Sequence, residues 1–243
     1  MKLYSEFARV YHDLYASLTD YAAEFQFYSQ VLAENGCHKI LELGCGTGLL
    51  AEHFVDGGFD YLGVDLSEEM LAIAQEMVPT GQFVRGDMRY FVEDYVDTFD
   101  AVLVPGNTFS HLTTNADVFS CLSSIRSILK PAGLLLFDAL DSRVEFTNLV
   151  GDYEYDVEGQ IANYHVASKY HPRFEQGWMY QWTAQYIIVE GNQKQSFEDE
   201  MLIRTFFQDE LHLMLEMKEF EVLSQDFREL DSPFINWVAR KAA

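Results

Sequence analysis

Ile40-Leu41-Glu42-Leu43-Gly44-Cys45-Gly46-Thr47-Gly48-Leu49-Leu50 reads as a short apolar strand that runs into a glycine loop and then opens a helix. Glycines at 44, 46 and 48 admit a tight turn and let a ligand approach bare backbone, although a glycine turn also joins a strand to a helix without binding anything. Their spacing is Gly-x-Gly-x-Gly. A dinucleotide loop is Gly-x-Gly-x-x-Gly, its third glycine packing the helix on the strand, so the spacing here counts against a pyrophosphate ligand.

Outward from this loop, apolar runs alternate with helical patterns. Strands are expected near 39–43, 60–65, 82–85, 99–104 and 133–138, with helices near 48–56, 68–78 and 116–129 between them, the pattern of βαβ units in a parallel sheet. Punctuation agrees: Gly57-Gly58 stops the first of these helices, Ser67 caps the second, Pro79 ends it, and Lys130-Pro131-Ala132-Gly133 separates the third from its strand. Upstream, Tyr4, Phe7, Tyr11, Leu14, Tyr15 and Leu18 form one stripe of an N-terminal helix.

Past Asp141 the period shortens to two. Trp178, Tyr180, Trp182, Ala184, Tyr186 and Ile188 alternate with more polar residues, and Gly159, Gly177 and Gly191 supply turns, so about 152–206 is expected as antiparallel sheet. Its aromatics are read as sheet packing rather than an acceptor cage. The sheet is expected to cover the acceptor side of a pocket or to make a homodimer contact. Thr205 with Gln208 has the spacing of a capping box for a helix through Lys218, after which 220–227 and 233–239 read as strands, with Asp231-Ser232-Pro233-Phe234 a strand-initiating turn.

Two carboxylates follow consecutive strands. Asp65 ends Tyr61-Leu62-Gly63-Val64-Asp65, where an ionised acid can accept from both hydroxyls of a ribose, and Asp87 follows Val84-Arg85-Gly86. Both fall at the carboxyl edge of the sheet, where open α/β folds bind ligands. Alone, either acid also reads as a helix cap or a solvated loop residue. Their joint placement favours a site.

Composition bounds the partners. With 39 acidic and 16 basic residues among 243, the net charge of -23 repels phosphate backbones and anionic membranes, so neither nucleic acid nor a membrane is expected as a partner. No signal-peptide pattern or membrane-length apolar run is present, and a cytoplasmic location is expected. Cys37, Cys45 and Cys121 match no disulfide framework and read as reduced thiols, and no histidine spacing asks for a metal.

The glycine loop, Asp65 and Asp87, in this order and spacing, resemble the class I S-adenosylmethionine-dependent methyltransferases, strongly over about 39–139 and more faintly over 200–240. The resemblance implies a doubly wound, Rossmann-like α/β fold with a mostly parallel seven-stranded sheet. Residues 1–150 and 205–243 would form its cofactor-binding core and 151–204 an antiparallel β insertion. It also implies that Gly44, Cys45, Gly46 and Gly48 lie against the methionine part of S-adenosylmethionine and that Glu42 helps orient its ammonium. Asp65 and Leu66 would meet the ribose side, Asp87 the adenine amine and Met88 the ring edge, with Pro105 opening the loop that faces the methyl group.

That loop, Pro105-Gly106-Asn107-Thr108-Phe109-Ser110-His111-Leu112, lacks the Asn/Asp-Pro-Pro-aromatic run of relatives acting on bases or protein amides. It is more similar to small-molecule enzymes, the sugar-amine and glycine N-methyltransferase-like subgroup, which place a histidine near the position of His111. Phe7-Ala8-Arg9-Val10-Tyr11-His12-Asp13-Leu14-Tyr15 resembles the opening helix of that subgroup, whose tyrosines cover cofactor and acceptor. The catalytic candidates are therefore His111 as base, with Tyr11 or Tyr15 orienting a small-molecule acceptor through nitrogen or oxygen. His111 also reads as a surface or helix-flanking histidine. One departure is Lys218-Glu219-Phe220, where relatives commonly carry glycine. Rival readings are an NAD-dependent oxidoreductase, whose loop spacing is wrong here, and a non-catalytic S-adenosylmethionine-binding regulator.

Overall fold

The computed structural model describes residues 1–91, 95–143, 151–174, 178–227 and 234–242. Five strands alternate with helices through the first half: β1 (Lys39–Leu43), β2 (Asp60–Asp65), β3 (Gln82–Arg85), β4 (Phe99–Val104) and β5 (Leu129–Leu140). Helices α3 (Leu49–Asp56), α4 (Glu68–Met77) and α5 (Asn115–Ile128) connect them. With β10 (Phe220–Phe227) and β11 (Phe234–Lys241) they form a seven-stranded sheet in the order β10-β11-β5-β4-β1-β2-β3. Only β11 runs against the rest, pairing antiparallel with both β5 and β10. The order reverses beside β1, which opens the crevice above β1 and β4 where doubly wound folds bind ligands.

Burial on both faces explains the unbroken apolar strands. On one face Val118, Leu122 and Ile125 of α5 and Leu211 and Leu215 of α6 (Gln208–Met217) pack on Leu41, Val102, Leu135 and Trp237. On the other, Leu50 and Phe54 of α3 meet Ile40, Leu103, Leu136 and two residues of α2 (Tyr21–Glu34), Tyr28 and Leu32. Sequence reading passed over α2. Asp20 caps it by accepting from the Ala23 amide at 2.9 Å, and Asn35-Gly36 closes it, signals that a search for caps would have found.

Two boundaries differ from expectation. Lys130-Pro131-Ala132-Gly133 does not separate α5 from the strand but forms a bulge inside β5, with Ala132 at φ 61° and the pairing register jumping from Phe99–Leu129 to Ala101–Leu134. The Thr205/Gln208 box does not form: Phe207 is the N-cap of α6 with no side-chain cap. Thr205 instead donates to the Trp178 carbonyl and meets Ser142, while the Gln208 amide reaches Asp141 at 2.6 Å. Glu219, between α6 and β10, occupies a left-handed position that suits glycine (φ 58°), and its carboxylate pairs with Arg126 on α5 at 2.8 Å. Residues 231–233 of the expected turn lie outside the described residues.

Strands β6 (Gly151–Glu158), β7 (Asn163–Arg173), β8 (Met179–Glu190) and β9 (Gln193–Arg204) make a separate antiparallel meander. Most of its aromatics pack as read: Tyr180, Trp182 and Tyr186 are buried with Val166, Ile188 and Phe197 against Leu3, Leu14 and the N-terminal helix α1 (Ala8–Leu18), where Phe7 stacks on Phe197, whereas Trp178 precedes β8 and is exposed, its ring edge on Phe174 and Phe207. Asp13 of α1 ties the two together. Its carboxylate accepts from the Gln160, Ile161 and Ala162 amides and from the Tyr164 hydroxyl at 2.6 Å. Met70 and Ile73 of α4 pack on Ala8 from the other side, so α1 lies between the meander and the doubly wound layer. Among the described residues no helix is long and apolar enough to cross a membrane.

Candidate active site

Above the carboxyl ends of β1, β2 and β4 lies a cavity of about 480 Å³, within the range of small-molecule sites. The glycine loop forms its floor. Gly44 and Cys45 amides both donate to the Val64 carbonyl, drawing the loop onto β2, and Gly44 at φ 77° leaves no room for a side chain beside Thr108. At Gly46 a Cβ would meet only the Tyr11 ring, 3.8 Å away, so bare backbone faces the cavity. Gly48 lines neither this cavity nor the smaller one beside it. Its missing side chain lets the start of α3 pack on Ala74 of α4, the helix-packing role of a loop glycine.

Asp65 braces this floor. One carboxylate oxygen accepts from the Gly46 amide at 3.0 Å and the other from the Ser67 amide at 2.9 Å. Each oxygen keeps a lone pair for a further donor. Burial pushes this carboxyl above its ordinary value, against the pull of those amides. Leu66 lines the rim beside it and Met88 the opposite wall. Asp87 also lines the cavity, already gripped by Arg89, whose Nε and Nη2 donate to its two oxygens at 2.9 and 2.6 Å. The guanidinium holds Asp87 below the usual carboxylate range.

Glu42, Cys45 and Pro105 line a side cavity of about 50 Å³ that shares Gly44, Gly46 and Tyr11 with the main one. Burial lifts Glu42 to about 7, although the Tyr61 hydroxyl donates to it at 2.7 Å. Glu24 and Tyr21 from α2 close the same space. Burial also raises the Cys45 thiol well above its ordinary value, which leaves it protonated and unreactive.

The fourth strand delivers His111. Asn107 sits in the left-handed region (φ 61°), its amide donating to the buried Asp138 at 2.8 Å, and this fixes the 3₁₀ turn Thr108–His111 over the cavity. His111 lines the cavity with the edge of its ring on Tyr4, centroids 5.9 Å apart, and burial followed by the nearby N-terminal amine lowers its pKa. Tyr11 lines both cavities, whereas Tyr15 lines neither and stacks on Tyr11 at 4.3 Å. Burial raises both phenols well above their ordinary value, so they serve as donors rather than bases.

Sequence reading missed several walls: Tyr4, Arg89, Thr108 and Asp117, and Met201, which β9 contributes from the meander. Tyr4 stood on the N-terminal stripe and Asp117 in a Thr-x-x-Asp cap, but the lining role of Met201 depends on how the meander docks. His12 was passed over too. Its Nδ1 lies 3.0 Å from the hydroxyl of Thr47 in the glycine loop.

Residues 40–133 match the family model described as a methyltransferase domain. The chain is 38% identical over 143 residues to YqeM of Bacillus subtilis (strain 168), provisionally named a methyltransferase, covering 58% of this chain and 56% of that protein. It is 33% identical over 121 residues to the glycine/sarcosine N-methyltransferase of Aphanothece halophytica, covering 48% and 46%. The chain thus spans about half the length of the curated relatives it matches. The fold is shared more widely. A crystal structure of an S-adenosylmethionine-dependent methyltransferase from Clostridium acetobutylicum superposes with a TM-score of 0.81 at 18% identity, covering 98% of both chains. The sugar N-methyltransferase KedS8 from Streptoalloteichus gives 0.78 at 22% identity over 93% of this chain and 89% of that one.

Proposed function

We propose that the protein transfers the methyl group of S-adenosylmethionine to a nitrogen or oxygen of a small-molecule acceptor. Residues 1–150 and 205–243 would hold the cofactor, and 151–204 would press α1 over the site. The observation that carries this reading is the convergence on one cavity of bare glycine backbone at Gly46, the Asp65 carboxylate with a lone pair free on each oxygen, and the imidazole of His111. The residues fit the cofactor. Asp65 can accept from two ribose hydroxyls, Glu42 in the side cavity offers a carboxylate to an ammonium, and Leu66 and Met88 supply apolar walls for a base.

When bound, the cofactor supplies an electrophilic methyl carbon on a sulfonium whose sulfur departs neutral as the acceptor lone pair displaces it. The chain's own contribution is alignment and exclusion of water. Tyr4 and Tyr11, held edge to face at 5.5 Å, roof the cavity. His111, its pKa lowered, is neutral at pH 7 and takes the proton that an amine or hydroxyl acceptor loses. The charge of -23 supports a small acceptor rather than a nucleic acid.

Calorimetry with S-adenosylhomocysteine and NAD tests the reading. The first should bind and the second should not, and Asp65→Ala should weaken binding by roughly 1.5–3 kcal/mol, the range for charged hydrogen bonds. Heat from NAD alone would overturn it.

A further inference from the structure

Arg89 is the most heavily paired side chain of the cavity wall. Its backbone amide and Nε both donate to Oδ1 of Asp87 at 2.9 Å, and its Nη2 donates to Oδ2 at 2.6 Å, with Nε a longer 3.2 Å from the same oxygen. Its Nη1 reaches across to Asp117 on the first turn of α5 at 2.8 Å. Asp117 is itself pinned, since Thr114 caps α5 and donates its hydroxyl to the other oxygen of Asp117 at 2.6 Å. Asp87, Arg89 and Asp117 all line the cavity.

The count of lone pairs gives this network a meaning. An ionised carboxylate offers about four acceptor sites. On Asp87 the Arg89 amide and Nε take both sites of Oδ1, and Nη2 takes one of Oδ2; the single Nε hydrogen is directed at Oδ1 and its 3.2 Å approach to Oδ2 is only the weak arm of a bifurcated bond, so the remaining strong site is on Oδ2. A carboxylate in this state accepts one more N–H and repels a further acceptor. The 6-amino group of adenine is such a donor, whereas the 6-oxo group of hypoxanthine is an acceptor at the same place.

We propose that Arg89 is a specificity-positioning residue: it locks Asp87 with a single acceptor site turned to the cavity, and so makes the site select a 6-amino purine over a 6-oxo purine. The proposal rests on the cofactor reading above. Bidentate geometry matters, because the planar fork fixes the plane of the carboxylate in a way that a point charge does not. Without the fork, Asp87 and Asp117 face each other as uncompensated like charges. Asp87 then turns, or takes a proton and becomes a donor that suits the 6-oxo base equally well.

The test measures calorimetric affinities of S-adenosylhomocysteine and S-inosylhomocysteine for the full chain, Arg89→Ala and Arg89→Lys, with thermal melting to establish that each variant is folded. The native chain should prefer the adenosyl compound by about 10- to 100-fold, the equivalent of one charged hydrogen bond. Arg89→Ala should lose most of that preference by weakening only the adenosyl compound. Arg89→Lys, which keeps the charge but not the fork, should fall between the two. Equal weakening of both compounds in Arg89→Ala would mark a structural role and overturn the proposal, as would a native chain that binds both equally. A native chain that binds neither would instead remove the cofactor reading on which the proposal stands.

Discussion

The Tyr61 hydroxyl donates to a carboxylate oxygen of Glu42 across 2.7 Å, on neighbouring strands β2 and β1, with both side chains buried. One hydrogen bond does not offset the loss of water around the acid. Burial sets Glu42 at about 7, and Glu24 and Asp65 add to the rise. A carboxyl whose folded value exceeds its unfolded one of about 4.5 stabilises the fold fully below that lower value and loses the contribution as pH rises through about 7. Glu42→Gln, which cannot ionise, should flatten this fall, a difference of about 3 kcal/mol between the limits. An ammonium entering the side cavity would also favour the ionised form. S-adenosylhomocysteine should therefore release roughly half a proton on binding at pH 7, read from its heat in buffers of different ionisation enthalpy. Heats independent of buffer would refute the assignment of Glu42 to that group.

The two loop glycines should separate folding from binding. At Gly44 an added Cβ has both a φ of 77° and the Thr108 side chain against it, so Gly44→Ala should lower stability by about 2 kcal/mol or more. At Gly46 the Cβ makes only ordinary contact with the Tyr11 ring, 3.8 Å away. Gly46→Ala should cost only the backbone strain of about 1–2 kcal/mol yet weaken S-adenosylhomocysteine by about tenfold or more. Unchanged affinity in Gly46→Ala would mean that the ligand does not approach this backbone.

Asp13 sets the position of the roof. Burial raises its carboxyl, but the Tyr164 hydroxyl and the amides of 160–162 outweigh burial and hold it below its ordinary value. Its contribution is therefore present above about 3.8 and is lost as pH falls through the lower folded value. Asp13→Ala strands several donors at once and should cost roughly 3–5 kcal/mol. Affinity for S-adenosylhomocysteine should fall too, since α1 carries Tyr11 into the cavity. Asp13→Asn, with one acceptor oxygen left, should lie between. Native stability in Asp13→Ala would show that the meander holds α1 by apolar packing alone.

The parallel layer was legible because β1, β2 and β4 are buried apolar runs, while the short and largely exposed β3 is marked by the glycines on either side of it, and the observed limits of all four coincide with those read from the sequence. The meander was legible for the same reason, from alternation at Tyr180, Trp182 and Tyr186. What periodicity could not show was side-chain choice between partners. Thr205 and Gln208 had the spacing of a cap, but Trp178, Ser142 and Asp141, distant in sequence, offered better partners. Asp87 was visible as an acid after β3, while its neighbour Arg89 and the bridge to Asp117 emerged only when α5 came to lie beside the loop. Tyr15 shared the stripe of Tyr11 but ends stacked on it, because residues four apart on a helix lie one turn apart along the axis.

His111 carries the last prediction, because its placement separates chemistry from binding. The 3₁₀ turn that bears it is anchored through Asn107 to Asp138, and its imidazole makes no hydrogen bond among the described residues while it lines the cavity beside Tyr4. A base needs its proton-accepting nitrogen free, and a lowered pKa leaves that nitrogen unprotonated at neutral pH. His111→Ala should therefore lower kcat by about 10²–10⁴-fold with a small-molecule amine acceptor, while calorimetry shows the affinity for S-adenosylhomocysteine nearly unchanged. The pH profile of the native chain should fall on its acid side, below histidine's ordinary value of 6.5, because protonation of the imidazole removes the base. That limb should vanish in the variant. A histidine that only packs against Tyr4 would give the opposite pattern, lower melting temperature with turnover and pH profile little altered, and the site would then act by alignment alone.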